Sequence, residues 1–526
     1  MPDPEDAQDI QAARRRWFAL AALVLPVLLV SMALSVLYLA VPHISADLTP
    51  SSSQMLWILD IYGFVLAGLL IVMGSLGDRI GRRRLLLAGA SLFGVASLLA
   101  AFAPSPELLI AARALMGVGG ATLMPSTLAL IRNVFHDPEE RTRAIGLWTA
   151  AFAGGGVLGP VVGGVLLSYF DWGSVFLINV PVIVILLAIA PKLVPEHRND
   201  EQGGFDLFGA ALSLAAVLAF VYALKKGAEA GIWSATSGSF LLLSLILSLG
   251  FLVQQRSARQ PLIDFTLFRR RKFVAGILAV TLGMLALTGP TMYLAQYLQL
   301  VLSMSPLAAA LWMVPLTLAS MAGAMVATIV VARLGLPRTL FVGFFLAAGG
   351  LAVTATTPPQ DGLAIVLIGG SLLGAGITTI MSLSTDVVGA AAPIERAGAA
   401  SALSETGSEL GAALGIALTG TLGTVIYRTS LSLPSELPEA LQEVAAQTLG
   451  AAISASETLS GPAADALRLS ARQAFTSGFT TAAAVGAINR GGLSPPVPWV
   501  MRSAPGKREL QSTVATEATA EISAKE

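Results

Sequence analysis

The chain has 526 residues, 55% hydrophobic and 12% charged, with 32 basic residues, 32 acidic residues and no cysteine. A typical soluble domain carries about 25% charged residues, so a string of soluble domains is excluded; apolar runs of about 20 residues recur along the whole length, as in a polytopic, all-α membrane protein. Balanced charge gives no reason to expect a nucleic-acid partner, the lack of cysteine removes disulfides and thiolate metal sites, and His43, His136 and His197 are too scattered to suggest a metal site.

The N-terminus, "MPDPEDAQDIQAARRR", is acidic and then basic, and the apolar run from Trp17 is about 25 residues long, so it reads as a retained span rather than a signal peptide. Spans are expected near 17–43, 54–76, 84–103, 107–130, 144–169, 172–191, 207–226, 238–254, 273–295, 306–332, 338–356, 362–386, 396–426 and 471–488. Segments after even-numbered spans carry "GDRIGRRR", "RNVFHDPEERTR", "PKLVPEHRND", "QQRSARQPLIDFTLFRRRK" and "VARLGLPR". Segments after odd-numbered spans, such as "SADLTPSSSQ", "APSPE" and "TTPPQDG", have no arginine or lysine. This bias places the arginine-rich side, and the N-terminus with Arg14, Arg15 and Arg16, in the cytoplasm. Lys225 and Lys226 are the main exception.

The expected organisation is an N-terminal segment 1–16, a first six-span block 17–200, an inserted two-span hairpin 201–260, a second six-span block 261–488 and a polar, irregular tail 489–526. "GDRIGRRR" and "VARLGLPR" occupy matching places in the two blocks, as in the paired halves of secondary transporters. An outer segment, 430–469, is rich in Ser, Ala, Glu and Pro and predicts a short surface helix without chemistry.

Ionisable residues within spans cost about 2.5–3.5 kcal/mol each on insertion scales, so each needs a reason. Asp60 follows "QMLWIL", with Trp57 and Tyr62 near it; it is either a carboxylate in the headgroup region or, with the rings, a selector of organic cations. Arg113, in "AARALMGVGGA", is structural or coupled to proton movement. Asp386 is either a cation or proton site or part of an inner ion network with Arg396. Glu405 and Glu409 share one helix face, one turn apart. They are either solvated near the interface or line a polar cavity, where two like charges resist being ionised together and can exchange a proton or cation.

"AGGGVLGPVVGG" sets Gly155, Gly159 and Gly163 at four-residue intervals beside Pro160, a pattern for close helix packing with a kink. It suits either a gating helix or a static contact. No nucleotide-binding glycine loop and no filter-like repeat is present, so ATP-driven pumping and selective pores lack support.

"GSLGDRIGRRR" resembles the signature loop of the major facilitator superfamily, "AGGGVLGPVVGG" the fifth-helix motif of its drug antiporters, and "ARALMGVGGA" their fourth-helix arginine motif. With "LWILDIYGFVLAGLL", "MPSTLALIRNVF" and "WGSVFLINVP", the chain is similar, from about Trp17 to Thr480, to fourteen-span proton-coupled multidrug efflux pumps of the quaternary ammonium and methyl viologen type. The resemblance implies two six-helix bundles plus a two-helix insertion in the bacterial plasma membrane. It implies export of hydrophobic cations by a monomer, driven by the proton gradient and without a cofactor. It also implies a conformational latch at Gly74, Asp78, Arg79, Gly81 and Arg82, membrane acids at Asp60, Glu405 and Glu409, and a proton-coupling arginine at Arg113.

The chain departs from that pattern in three places. Ala33, in "SMALS", stands where related pumps usually carry an acid, so the chain either relies on fewer acids or carries a substitution there. Ser320 lies in a region where some relatives carry an acid associated with divalent cations. The last span is short, interrupted after Ile488, and its tail has the look of a replaced terminus. Monovalent cations are therefore the expected substrates. The alternatives are a carrier of an uncharged metabolite, which would be expected to show more amide and aromatic hydrogen-bonding groups in central spans, and a non-transporting sensor or scaffold. No enzyme activity is expected.

Overall fold

In a bilayer the backbone N–H and C=O groups have no partners but one another, so apolar runs of this length must become helices. The computed structural model describes residues 4–135, 137–196, 206–230, 234–257, 265–391, 397–434 and 437–493. The first block comprises α1 (Pro4–Ser35), α2 (Leu37–Leu48), α3 (Ser52–Ile80), α4 (Arg82–Ala101), α5 (Pro106–Val134), α6 (Pro138–Tyr169), α7 (Ser174–Leu177) and α8 (Asn179–Leu193). The hairpin α9 (Leu207–Ala230) and α10 (Ala235–Ser257) follows. The second block comprises α11 (Phe265–Phe268), α12 (Arg271–Gln296) with a π-helical end (Tyr297–Val301), α13 (Pro306–Leu334), α14 (Leu336–Thr354), α15 (Leu363–Ala391), α16 (Ala397–Ser430), α17 (Glu439–Ala445), α18 (Leu449–Glu457) and α19 (Pro462–Leu493).

Twelve helices among the described residues are long and apolar enough to cross a membrane. Two more are long: α9, apolar in sequence from Leu207 to Leu224, and the less apolar α19, which carries Asp465, Arg468 and Arg472 in its first turns. Both pack as members of the bundle, α9 against α3 and α16, and α19 against α14, α16 and α18. The final helix is therefore longer than 471–488 at both ends. Arg472 does not end it, because its guanidinium donates to the Leu300 carbonyl (2.9 Å) and the Ser303 hydroxyl (2.7 Å) near the membrane surface. At the other end helix continues through Asn489 to Leu493.

Three further features differ from the sequence reading. Helix begins at Pro4, so residues 4–16 are the first turns of α1 rather than a separate segment. The first span is divided at Val36, a single residue between α1 and α2 that keeps helical dihedrals and whose N–H still donates to the Met32 carbonyl (2.9 Å). The single expected surface helix of the outer segment is two, α17 and α18.

The two blocks are built alike. In the first, Gly155, Gly159 and Gly163 of α6 lie against α1 and Val36 after it; a Cβ at Gly155 would come 2.6 Å from the Leu28 carbonyl oxygen. In the second, Gly407, Gly411 and Gly415 of α16 repeat the four-residue interval against Thr281, Leu285 and Thr288 of α12. Likewise Gly89 and Gly119 bring α4 and α5 together, as Gly343 and Gly376 do for α14 and α15. Small residues at these spacings let helix backbones approach closely.

Candidate functional site between the two blocks

The face opposite the arginine-rich turns is called the outer face here. Contacts joining the blocks run from that face to the middle of the bundle. Gln299 donates to the Leu39 carbonyl (3.1 Å), and the Ser45 and Thr448 hydroxyls are 2.6 Å apart. Gly164 of α6 meets Pro306 and Ala310 of α13, Leu56 of α3 meets Gly420 of α16, and Gly63 faces Ala413.

Beside this junction lies a cluster of buried polar groups. Glu409 is 3% exposed, and its Oε2 has no hydrogen-bond partner among the described residues. It lies one turn before Ala413, on the side of α16 that meets α3 and away from the glycine stripe that meets α12. Tyr38 and Tyr62 lie in its neighbourhood. Asp60, 1% exposed in α3, lies in that of Tyr38 and Arg113. Arg113 is 0% exposed. Its three donor nitrogens reach the carbonyls of Ile58 (3.1 Å), Leu59 (3.3 Å) and Ala33 (3.3 Å), and its guanidinium lies 4.8 Å from the centre of the Tyr62 ring. Two carboxylates, a guanidinium and the Tyr62 phenol thus share one buried region, with the half-buried Tyr38 beside it.

The aromatic residues near Asp60 in sequence also have ring partners of their own. Tyr62 packs edge-on against Phe93 at 6.5 Å, while Trp57 lies 6.4 Å from Tyr222 of α9. Glu405 is half-buried and Asp386 is exposed near the end of α15; Arg396 lies outside the described residues. Ala33 is buried. Ser320 faces α15, where Thr378 donates to its carbonyl at 2.6 Å.

At the inner face, Asp78 and Arg79 belong to the last turn of α3, and the turn itself is the single residue Gly81, with φ +106°. A side chain there would be strained and would meet Glu196. Gly74 faces Pro125, and Gly77 lets the Arg82 side chain approach closely. Arg82 is buried; the Asp78 side chain lies outside the described residues. Glu196, not singled out from the sequence, accepts from the N–H groups of Arg83 (2.9 Å) and Arg84 (3.2 Å) at the start of α4. Arg83 in turn donates to the Pro191 and Val194 carbonyls, at 3.2 and 3.1 Å. In sequence Glu196 is one of two acids in the basic segment "PKLVPEHRND", with nothing to set it apart.

The family model described as Major Facilitator Superfamily matches residues 23–416. The chain belongs to the major facilitator superfamily. Among curated members it is 42% identical over 475 residues to the multidrug efflux pump LfrA of Mycolicibacterium smegmatis, covering 90% of this chain and 94% of that protein. It is 38% identical over 465 residues to the methyl viologen resistance protein SmvA of Salmonella typhimurium, covering 88% and 93%. The puromycin resistance protein pur8 of Streptomyces alboniger is 34% identical over 417 residues, covering 78% and 82%. Among solved structures, a bacterial homolog of the human lysosomal transporter Spinster, in an inward-facing and unoccupied conformation, superposes with a TM-score of 0.65 at 18% identity, covering 94% of this chain and 99% of that one. This last likeness concerns the fold alone.

Proposed function

We propose that the chain is a proton-coupled antiporter of the bacterial plasma membrane that exports hydrophobic, mainly cationic compounds by alternating access. The relatives named for multidrug efflux and methyl viologen resistance support the substrate class. The observation that carries the coupling is Glu409, a carboxylate with a buried oxygen lacking a hydrogen-bond partner among the described residues. A buried polar atom left in this state asks for a visiting partner, and a proton or an organic cation supplies one.

In this reading Glu409 exchanges the proton and Asp60 attracts the cation, with Arg113 restraining both charges. Glu405, one turn nearer the inner face, supports the exchange. Trp57 and Tyr62 shape the walls, while Asp386 is an inner-surface charge. The outer contacts between blocks correspond to the inward-open arm of the cycle. Asp78 and Arg79, close to Gly81, form the inner latch of the other arm, and the α6 glycine stripe holds the divided first helix as the blocks rock. The working unit is a single copy.

The test is dye efflux from proteoliposomes under an imposed pH gradient. Glu409→Gln should lower gradient-driven efflux at least tenfold, and Glu405→Gln by a smaller factor. Undiminished gradient-driven efflux from Glu409→Gln overturns the coupling assignment.

A further inference from the structure

We infer that Gln447, in the outer segment between α16 and α19, is the clasp that holds the pathway shut on the outer face and has to release before the pathway opens there. Its side-chain oxygen accepts from the Ser52 N–H (3.3 Å) and from Arg428 Nη2 (2.8 Å), and its backbone oxygen accepts from the Ser52 hydroxyl. Ser52 opens α3, where the first N–H groups have no partner in their own helix. Arg428 lies in the last turn of α16. One amide therefore joins the start of a first-block helix to the end of a second-block helix.

The neighbouring residues brace it. The Thr448 hydroxyl pairs with Ser45 and also caps α18 by accepting from the Ala451 N–H at 3.1 Å. Tyr427 donates to the Ala445 carbonyl at 2.9 Å. Gly450 sits so close to Ser45 that a Cβ there would come 2.8 Å from the Ser45 side chain. Beneath Gln447 is a cavity of about 60 Å³, lined among others by Met55, Leu59, Gln296, Thr424 and Phe475, with Gln447 and Thr448 in its wall. That volume holds a few waters. Leu59 is the residue before Asp60, so the cavity lies between the clasp and the level of the buried acids. The clasp is made of hydrogen bonds without a carboxylate–guanidinium pair, a joint that closes and can part.

This inference rests on the alternating-access reading, and its first test, a labelling rate, is independent of transport. The chain has no cysteine, so Met55→Cys creates its only thiol. Its rate of modification by a membrane-impermeant thiol reagent applied at the outer face should rise at least fivefold when Gln447→Ala is added. Gln447→Glu keeps the accepting oxygens and pairs with Arg428, and it should leave the rate at or below that of Met55→Cys alone. An unchanged rate with Gln447→Ala, or an equal rise with Gln447→Glu, overturns the clasp. Should Gln447→Ala fold poorly, Ser45→Cys with Thr448→Cys provides the second arm. Oxidation should abolish efflux and reduction restore it; complete cross-linking with unchanged efflux overturns the inference. Labelling as expected in a chain that exports no cation leaves the clasp standing and removes the exporter reading.

Discussion

Arg113 and Ala33 are joined across two helices by a hydrogen bond from the guanidinium to the Ala33 carbonyl, 3.3 Å long and fully buried. The bond falls two residues before the end of α1 and the division at Val36. The same guanidinium holds the carbonyls of Ile58 and Leu59 in α3. Arg113 thus fastens the divided first helix to α3 while leaving position 33 itself uncharged.

A carboxylate placed at position 33 would stand in reach of this guanidinium and add negative charge to a water-poor region, where Coulomb attraction is strong. Ala33→Asp should raise the transport of divalent cations severalfold relative to monovalent ones, measured with methyl viologen against a monovalent quaternary ammonium in the same vesicles. An unchanged ratio would show that position 33 does not act on the substrate.

Arg113→Lys keeps the charge but loses the planar fork that serves carbonyls on two helices. Hydrogen bonds from a charged donor contribute about 1.5–3 kcal/mol each, and a single ammonium in place of the fork should forgo at least one. The melting temperature in detergent should fall by several degrees. A melt indistinguishable from the native protein would mean that the carbonyls find other donors.

Asp60→Asn removes a charge that is 1% exposed and lies in the neighbourhood of Tyr38 and Arg113. Binding of a monovalent quaternary ammonium should weaken at least fivefold, with little change for a neutral dye, as followed by fluorescence titration. Equal losses for both compounds would assign Asp60 to structure or coupling.

The glycine stripes make a steric prediction. Gly155→Ala sets a methyl group against the Leu28 carbonyl and Ser31, and Gly411→Ala sets one against Thr281, so both should lower thermal stability. Gly146 and Gly154 have open space around them. Their alanine variants should be neutral or gain up to about 1 kcal/mol from helix propensity. Thermal melts of the four variants check the order.

Asp78→Asn tests the inner latch. Spin labels on introduced cysteines at the two faces should report a larger inward-open population, with near-native affinity for a fluorescent cation and slower efflux. Unaltered distance distributions with normal efflux would leave the α3–α4 turn as a topology signal.

The spans were legible because bilayer thickness imposes a length on apolar runs, and Arg113, Glu405 and Glu409 stood out because charge is scarce within them. Other features depended on three-dimensional phase. Trp57 and Tyr62 are near Asp60 in the chain, but their ring partners, Tyr222 and Phe93, come from other helices and cannot be read from spacing along α3. Gly411 and Gly415 repeat the interval of Gly155 and Gly159, but which helix they meet, α12, depends on the fold and not on the spacing. The division at Val36 has no proline or glycine at its site. Gln447 and Glu196 lie in polar connections, where composition does not distinguish a contact residue from a solvated one.

The placement of α9 makes the two seams between the blocks unlike. Its residues Val217, Leu218 and Val221 pack with Phe64 of α3 and with Ala413 and Ala417 of α16, and Leu214 presses on Gly68. The hairpin therefore wainscots one of the two long seams between the blocks, from the lipid side. The opposite seam, where Gly164 of α6 meets Pro306 and Ala310 of α13, has no such panelling among the described residues. The bundle is therefore uneven around its circumference, with one seam between the blocks covered by the hairpin and the α6–α13 seam left without such a cover among the described residues.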